Sequence, residues 1–179
     1  MTEIAPVFYD CEASSLEGYP IEVGWAFTDS ETGAVVSEGH LIRPPENWAV
    51  QKSWDRAAER LHGISPSQLW VDGRPAWEIA RRMNAALGGR ELFSDALQDE
   101  AWLRLLFDAA GVEPTFAIRR MDAAILISQA ARKVGLDEAA YIRAKTEAAK
   151  LTPRRHRAEA DARHLAVLWN TIVWGTLAR

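Results

Sequence analysis

Cysteine is nearly absent: Cys11 stands alone, so no intramolecular disulfide can form, and no CxxC pair or Cys/His cluster is present to hold zinc. A reducing, cytoplasmic setting is therefore the default expectation. Missing too is a basic start followed by a long apolar run. The opening MTEIAPVFYD contains an acid and soon reaches another carboxylate, so no signal peptide is expected. The most apolar helical candidate near the end, over 165–177, is too short to cross a bilayer and is amphipathic, which points away from the membrane. Positive charge is in deficit, with 21 Lys and Arg against 25 Asp and Glu, which argues against a general polyanion binder. No internal repeat, low-complexity tract or long linker interrupts the chain.

What is there suits one ordinary folded unit. A chain of 179 residues that is 48% hydrophobic can bury a core without staples, so a single domain over 1–179 is expected. The charge deficit is uneven: between 143 and 163 seven Lys/Arg face three acids, so phosphate contact can be local to this stretch, although a solvated helix face explains it as well. Strand-like runs cover 5–12, 21–28 and 34–43, joined by short turn-forming stretches, as in an antiparallel meander. Helical spacing follows at 53–61 and from Pro75 to Leu87, where Gly88 and Gly89 end it. A short strand at 90–94, a helix to Ala110, a strand at 115–119, and helices over 121–134, 138–149 and 158–176 complete the order. The class is α/β: a mixed five-stranded sheet, three strands antiparallel and two reached through helices, flanked by helices. The eight tryptophans read mostly as core or half-buried anchors. Trp48 and Trp54, in a polar stretch, are candidates for stacking on a base.

Three segments concentrate acids on inward-facing positions. In VFYDCE, strand alternation puts Asp10 and Glu12 on one face and Cys11 on the other. Two adjacent carboxylates closing an apolar strand imply a cation or an unusual proton arrangement, unless the strand has simply entered solvent. In PRRHRAEADARHLAVLW, Asp161 shares a helical stripe with Leu165, Leu168 and Ile172. His156, five residues earlier and so about 140° away around a helix, belongs at or before the helix start. There it suits a general base beside a carboxylate site, or a solvated loop. In SDALQDEAWL, Asp99 aligns with Trp102, Leu103 and Leu106, opening another inward stripe or complementing a helix dipole.

In this order and at these distances, the segments resemble the DEDDh exonucleases, the group that contains proofreading exonuclease domains such as that of DNA polymerase III epsilon, RNase T and oligoribonuclease. VFYDCEASSL is similar to the family's first motif and HRAEADA to its third, H-x4-D. LHGISPSQL resembles the H-G-I segment that shapes the pocket for the terminal nucleotide. SDALQDEAWL departs from the usual second motif, H-N-A-x-F-D-x-x-F-L: Ser94 and Asp95 replace His-Asn, so Asp95 rivals Asp99 as a ligand, with Asp99 favoured by the D-x-x-W-L spacing.

The resemblance implies an RNase H-like fold and a metal-dependent 3′-to-5′ exonuclease. Such an enzyme hydrolyses phosphodiester bonds at the 3′ end of single-stranded RNA or DNA and releases nucleoside 5′-monophosphates. It implies Asp10, Glu12, Asp99 and Asp161 as ligands of two Mg²⁺ or Mn²⁺ ions, and His156 as general base. It also implies substrate contacts at Ala13, Ser14, Leu16, His62, Gly63 and Ile64. Arg154, Arg155 and Arg157 are candidates for holding a phosphate, with Arg155 placed in the substrate site, against an equally plain reading as an exposed basic face. Many relatives are dimers, so a homodimer is among the states allowed. Two other readings remain open: a catalytically silent RNase H-like module that binds nucleic acid or protein, and a phosphodiesterase for dinucleotides or very short oligonucleotides.

Overall fold

The strand Val7–Ala13 (β1) alternates its side chains between two helical layers, and this alternation organises the whole molecule. The structure, a computed structural model, describes residues 5–153 and 156–175. β1 pairs antiparallel with Pro20–Thr28 (β2), which pairs antiparallel with Val35–Arg43 (β3). The expected meander is present. Two helices follow, Arg56–His62 (α1) and Pro66–Val71 (α2), then a two-residue strand Arg74–Pro75 (β4) and Ala76–Leu87 (α3). Glu91–Phe93 (β5) runs parallel to β1, and Ala117–Ile118 (β6) parallel to β5, with Gln98–Ala110 (α4) between them. Ala123–Lys133 (α5), Glu138–Leu151 (α6) and Ala158–Val173 (α7) end the described chain. The strand order is β4-β3-β2-β1-β5-β6, the anticipated mixed sheet with the short β4 added at one edge.

One face of the sheet carries Val7, Tyr9 and Cys11 of β1 with Val23 and Trp25 of β2, packed on Ile79, Met83 and Leu87 of α3 and Leu103 and Leu106 of α4. The other carries Phe8 and Ala26, packed on Ile127 of α5, Ala148 of α6 and Leu165, Leu168 and Ile172 of α7. Both stripes read from the sequence are buried as expected. Each fully buried Leu or Ile on them stabilises the fold by about 1.5–3 kcal/mol. Asp10 and Glu12 lie on the second face, where two aliphatic residues would otherwise continue the core.

Several local expectations needed adjustment. The helix expected at 53–61 starts at Arg56, because Asp55 caps it by accepting a hydrogen bond from the Ala57 amide at 2.7 Å. α2 was not expected, although Ser65, Pro66 and Gln68 spell a capping box with proline in the first turn. Of the tryptophans, Trp25 and Trp102 are core residues, but Trp70, Trp77 and Trp174 are 51%, 51% and 41% exposed, so the anchor reading fails for these three. Trp77 is instead covered by the Arg81 guanidinium 5.5 Å from its ring centre. No helix of the described residues is long and apolar enough to cross a membrane.

The start of α7 comes unusually near the sheet. Gly24 of β2 and Gly39 of β3 are register partners, and Gly24 is also opposite Asp10. A Cβ on Gly24 would lie 2.2 Å from the Glu159 amide nitrogen and 2.3 Å from the Ala158 carbonyl carbon; one on Gly39 would lie 2.7 Å from the Glu159 Cβ. The paired glycines form a seat into which the helix settles. Gly24→Ala should therefore push α7 off the sheet and lower stability by about 1–3 kcal/mol. Urea unfolding should show a lower midpoint at unchanged slope; an unchanged midpoint would mean that the seat is not needed.

Candidate active site

Three elements deliver carboxylates to one place. β1 presents Asp10 and Glu12 on the α7 side of the sheet. The seat at Gly24 and Gly39 lets the first turn of α7 lie over those positions, and Asp161, in that turn, points inward with the helix's apolar stripe. Asp10, Glu12 and Asp161 each offer a carboxylate oxygen, all within 4.8 Å of one another. The fourth acid arrives around the sheet edge. β5 pairs with β1 only as far as Phe93 opposite Phe8, after which the chain turns away through Ser94. α4 then opens next to β1, and Asp99 accepts a hydrogen bond from the Cys11 main chain. The Ser94 hydroxyl donates to Asp99 Oδ2 and accepts from the Ala96 amide at 3.0 Å, so the turn and the acid are fixed together. Asp10, Asp95 and Asp99 form a second group within the same 4.8 Å limit. Asp10 belongs to both groups.

Burial and mutual repulsion dominate the electrostatics. Asp10 is pushed well above the usual carboxylate range by burial first, then by Asp99, Glu12, Asp161 and Asp95. Glu12 is pushed up to about 8, by burial, then by Glu22 and Asp161, with Arg157 opposing. Asp99 is pushed up to about 7 by burial and by Asp95, against the lowering effects of the Ser94 hydroxyl and the Cys11 main chain. Alone, these groups hold protons. A divalent cation replaces the protons and removes the repulsion. The donors are all carboxylate oxygens, a set suited to hard cations such as Mg²⁺ or Mn²⁺ and not to thiolate-seeking metals. The residues present therefore fit the ions that the resemblance implies.

No family model matches the chain, and no curated protein matches it in sequence. Solved structures do. E. coli exonuclease I in a zinc-bound complex with single-stranded DNA superposes over 99% of this chain and 42% of its own, at TM-score 0.63 and 17% identity. The same enzyme with a dA16 oligonucleotide covers 94% and 41%, at TM-score 0.62 and 16% identity. Its apo form covers 95% and 42%, at 0.61 and 17%. The fold is RNase H-like. Identities this low establish the fold alone, and the chain spans about two fifths of exonuclease I's length.

Within this RNase H-like frame the other candidate residues fall as follows. His156 is exposed and immediately precedes Arg157, the N-cap of α7; its φ of 52° is left-handed, uncommon for a residue with a side chain. Ala13 closes β1 at an irregularity in its pairing with β2. Ser14 is buried and structural in its contacts: it accepts from the Tyr19 amide at 3.0 Å and shares a hydrogen bond with Ser53 at 3.0 Å. Leu16 is 74% exposed. His62 is buried at the end of α1, with Trp54 edge-on at 6.3 Å between ring centres. Its Nδ1 accepts from the Ile64 amide at 3.0 Å, which places the ring proton on Nε2, and burial lowers its pKa and keeps it neutral. That Nε2 is buried and turned toward the Ala13 main chain. Gly63 takes the left-handed φ of 72° that ends α1, and Ile64 is core, against Ile21, Val50 and Leu69. Trp48 is stacked on Tyr19 at 5.1 Å, and the Trp54 indole donates to Glu59 at 2.8 Å. Arg154 and Arg155 lie outside the described residues. Arg157 is engaged by Glu22.

Two residues escaped the sequence reading. Ser94 was noted only as a departure from a motif, yet it holds Asp99. Glu22 is not singled out by the sequence reading; its position two before Gly24, on the same face, is the available signal.

The raised carboxyls set the pH dependence of the metal-free protein. Glu12 and Asp99 bind protons more tightly folded, at about 8 and about 7, than at their ordinary values of 4.5 and 3.8. Between those limits the native state holds more protons than the unfolded chain, so stability falls as pH rises. In chelator, the Tm should drop steadily from about pH 5 to about pH 8, and added Mg²⁺ should restore most of the loss at the upper end. A Tm in chelator that rises over this range would contradict the electrostatic picture.

Proposed function

We propose that the chain is a single exonuclease domain of the DEDDh type. It would hydrolyse phosphodiester bonds at the 3′ end of single-stranded nucleic acid and release nucleoside 5′-monophosphates. The observation that carries this reading is the pair of carboxylate groups that share Asp10, half-buried in the middle of β1 beneath the start of α7, with His156 at that helix's entrance. The structural neighbours support it, since exonuclease I was solved with single-stranded DNA and with oligonucleotides.

Asp10, Glu12 and Asp161 would hold one divalent cation, and Asp10 with Asp99 the second, Asp95 standing beside it as an alternative ligand. When bound, the ions supply charge stabilisation at the phosphate and at the departing 3′-oxygen. His156 takes the proton of the attacking water on an imidazole nitrogen, a role that its exposure at the entrance of α7 allows. His62, buried at the end of α1 and turned toward the Ala13 main chain, would help to shape the pocket for the terminal nucleotide. Gly63, the left-handed cap of α1, leaves open space next to His62, and Leu16 offers an exposed apolar surface on the loop after β1.

The test is a 5′-labelled strand, RNA or DNA, incubated with Mg²⁺ or Mn²⁺ or with chelator. Stepwise shortening from the 3′ end that requires metal is expected. It should fall by on the order of 10³-fold or more in Asp10→Ala and by about 10²–10⁴-fold in His156→Ala. The faster substrate names the sugar preference. Strands left intact but retarded on a native gel would replace the enzyme by a silent binding module, and turnover confined to dinucleotides would narrow the substrate to very short oligonucleotides.

A further inference from the structure

We propose that the ion pair between Glu22 and Arg157 is a positioning device for the general base, and that Arg157 acts on His156 and not on a substrate phosphate. The inference rests on the exonuclease reading and deepens it. Glu22 stands directly opposite Glu12 in the β1–β2 register, so their side chains share one face about 5 Å apart. The Glu22 carboxylate adds to the repulsion on Glu12, and Arg157 opposes it. Both Glu22 oxygens are engaged. Arg157 Nε donates to Glu22 Oε1 at 3.1 Å and Oε2 at 3.0 Å, Nη2 donates to Oε1 at 2.5 Å, and the Ala158 amide donates to Oε2 at 3.0 Å.

These contacts reach the residue next to His156 and the first residue of α7. Arg157 is the N-cap residue but has no side-chain cap bond of its own, so the helix's first amide is satisfied by Glu22 from β2. The pair thus ties the sheet to the segment that carries both His156 and, one turn later, Asp161. The Glu22 side chain is 5% exposed and the Arg157 side chain 44%, so the arginine closes over the carboxylate and shields it. On the other side of the segment, the Thr152 hydroxyl donates to the Ala148 carbonyl and accepts from His164 Nδ1, both at 2.7 Å, which fixes the end of α6 to α7. His156 is held between these two anchors with a left-handed backbone, a conformation that persists in a residue with a Cβ only when its neighbours enforce it. A planar guanidinium bound to both carboxylate oxygens enforces direction as well as distance, which lysine cannot do.

The experiment compares wild type, Glu22→Gln, Arg157→Met, the double variant and Arg157→Lys. Each is assayed for strand hydrolysis, for Mn²⁺ binding by calorimetry and for amide hydrogen exchange. Glu22→Gln keeps the shape and serves if Arg157→Met folds poorly. Each single change should lower kcat by about 10- to 100-fold with KM nearly unchanged, as misplacement of a catalytic group does. The double variant should lose little more than either single one, because the two residues act as one unit. Arg157→Lys should recover only part of the loss, and Mn²⁺ affinity should stay within about threefold of wild type if only the base moves. Exchange in the peptide covering 156–161 should quicken in both single variants. A raised KM at unchanged kcat in Arg157→Met would make the arginine a phosphate contact and overturn the proposal, as would losses that multiply in the double variant. If wild type hydrolyses nothing, the exonuclease reading fails alone. The exchange data still decide the clamp, which an unaltered 156–161 peptide would refute.

Discussion

Mutual repulsion among carboxylates that the fold refuses to release to solvent is the constraint on which this structure turns. Asp10 and Glu12 occupy the face of β1 that is otherwise core, α7 brings Asp161 over them, and α4 brings Asp99 around the sheet edge. Burial raises the proton affinity of Asp10, Glu12 and Asp99, and neighbouring carboxylates raise it further. Hydrophobic burial elsewhere sustains this arrangement: the stripes of Leu103 and Leu106 on one layer, and of Leu165, Leu168 and Ile172 on the other, hold the two helices whose first turns carry Asp99 and Asp161. Stability generated in the core is thus spent at a site that becomes favourable only when positive charge enters it.

Close approach is the second requirement, and it depends on absence of side chains as much as on their presence. Gly24 and Gly39 leave the room in which α7 begins. β5 ends after three residues, and this early stop gives α4 access to β1. Around these openings the polar contacts are short-range and specific: Ser94 to Asp99, and Glu22 to Arg157 and the Ala158 amide. An RNase H-like sheet supplies the frame, and these few contacts adapt it to the local sequence.

Much of this was legible in the sequence because it follows from periodicity. Alternation assigned Asp10 and Glu12 to one face and Cys11 to the other, and 3.6-residue spacing aligned Asp161 and Asp99 with buried leucines, as the structure has them. The meander and the later helix-linked strands followed from turn residues and segment lengths. What could not be read depends on contacts between distant positions. Glu22 takes its importance from Arg157, 135 residues away, and no local pattern announces the pair. β4 is two residues long and has no period of its own. α2 was overlooked although its capping residues were visible, and exposed Trp70 and Trp77 show that aromatic content alone does not fix burial. The choice between Asp95 and Asp99 also outran the sequence. Both come within reach of Asp10, and Ser94 holds Asp99.

The most direct measurement of the central claim is the stoichiometry of Mn²⁺ binding to the folded protein near neutral pH, followed by calorimetry or electron spin resonance. Two ions per chain are expected, with both sites weakened together in Asp10→Asn, since Asp10 belongs to both carboxylate groups. A folded chain that binds no Mn²⁺ at millimolar concentration, or whose binding is untouched by Asp10→Asn, would contradict the claim that these acids are gathered to hold cations.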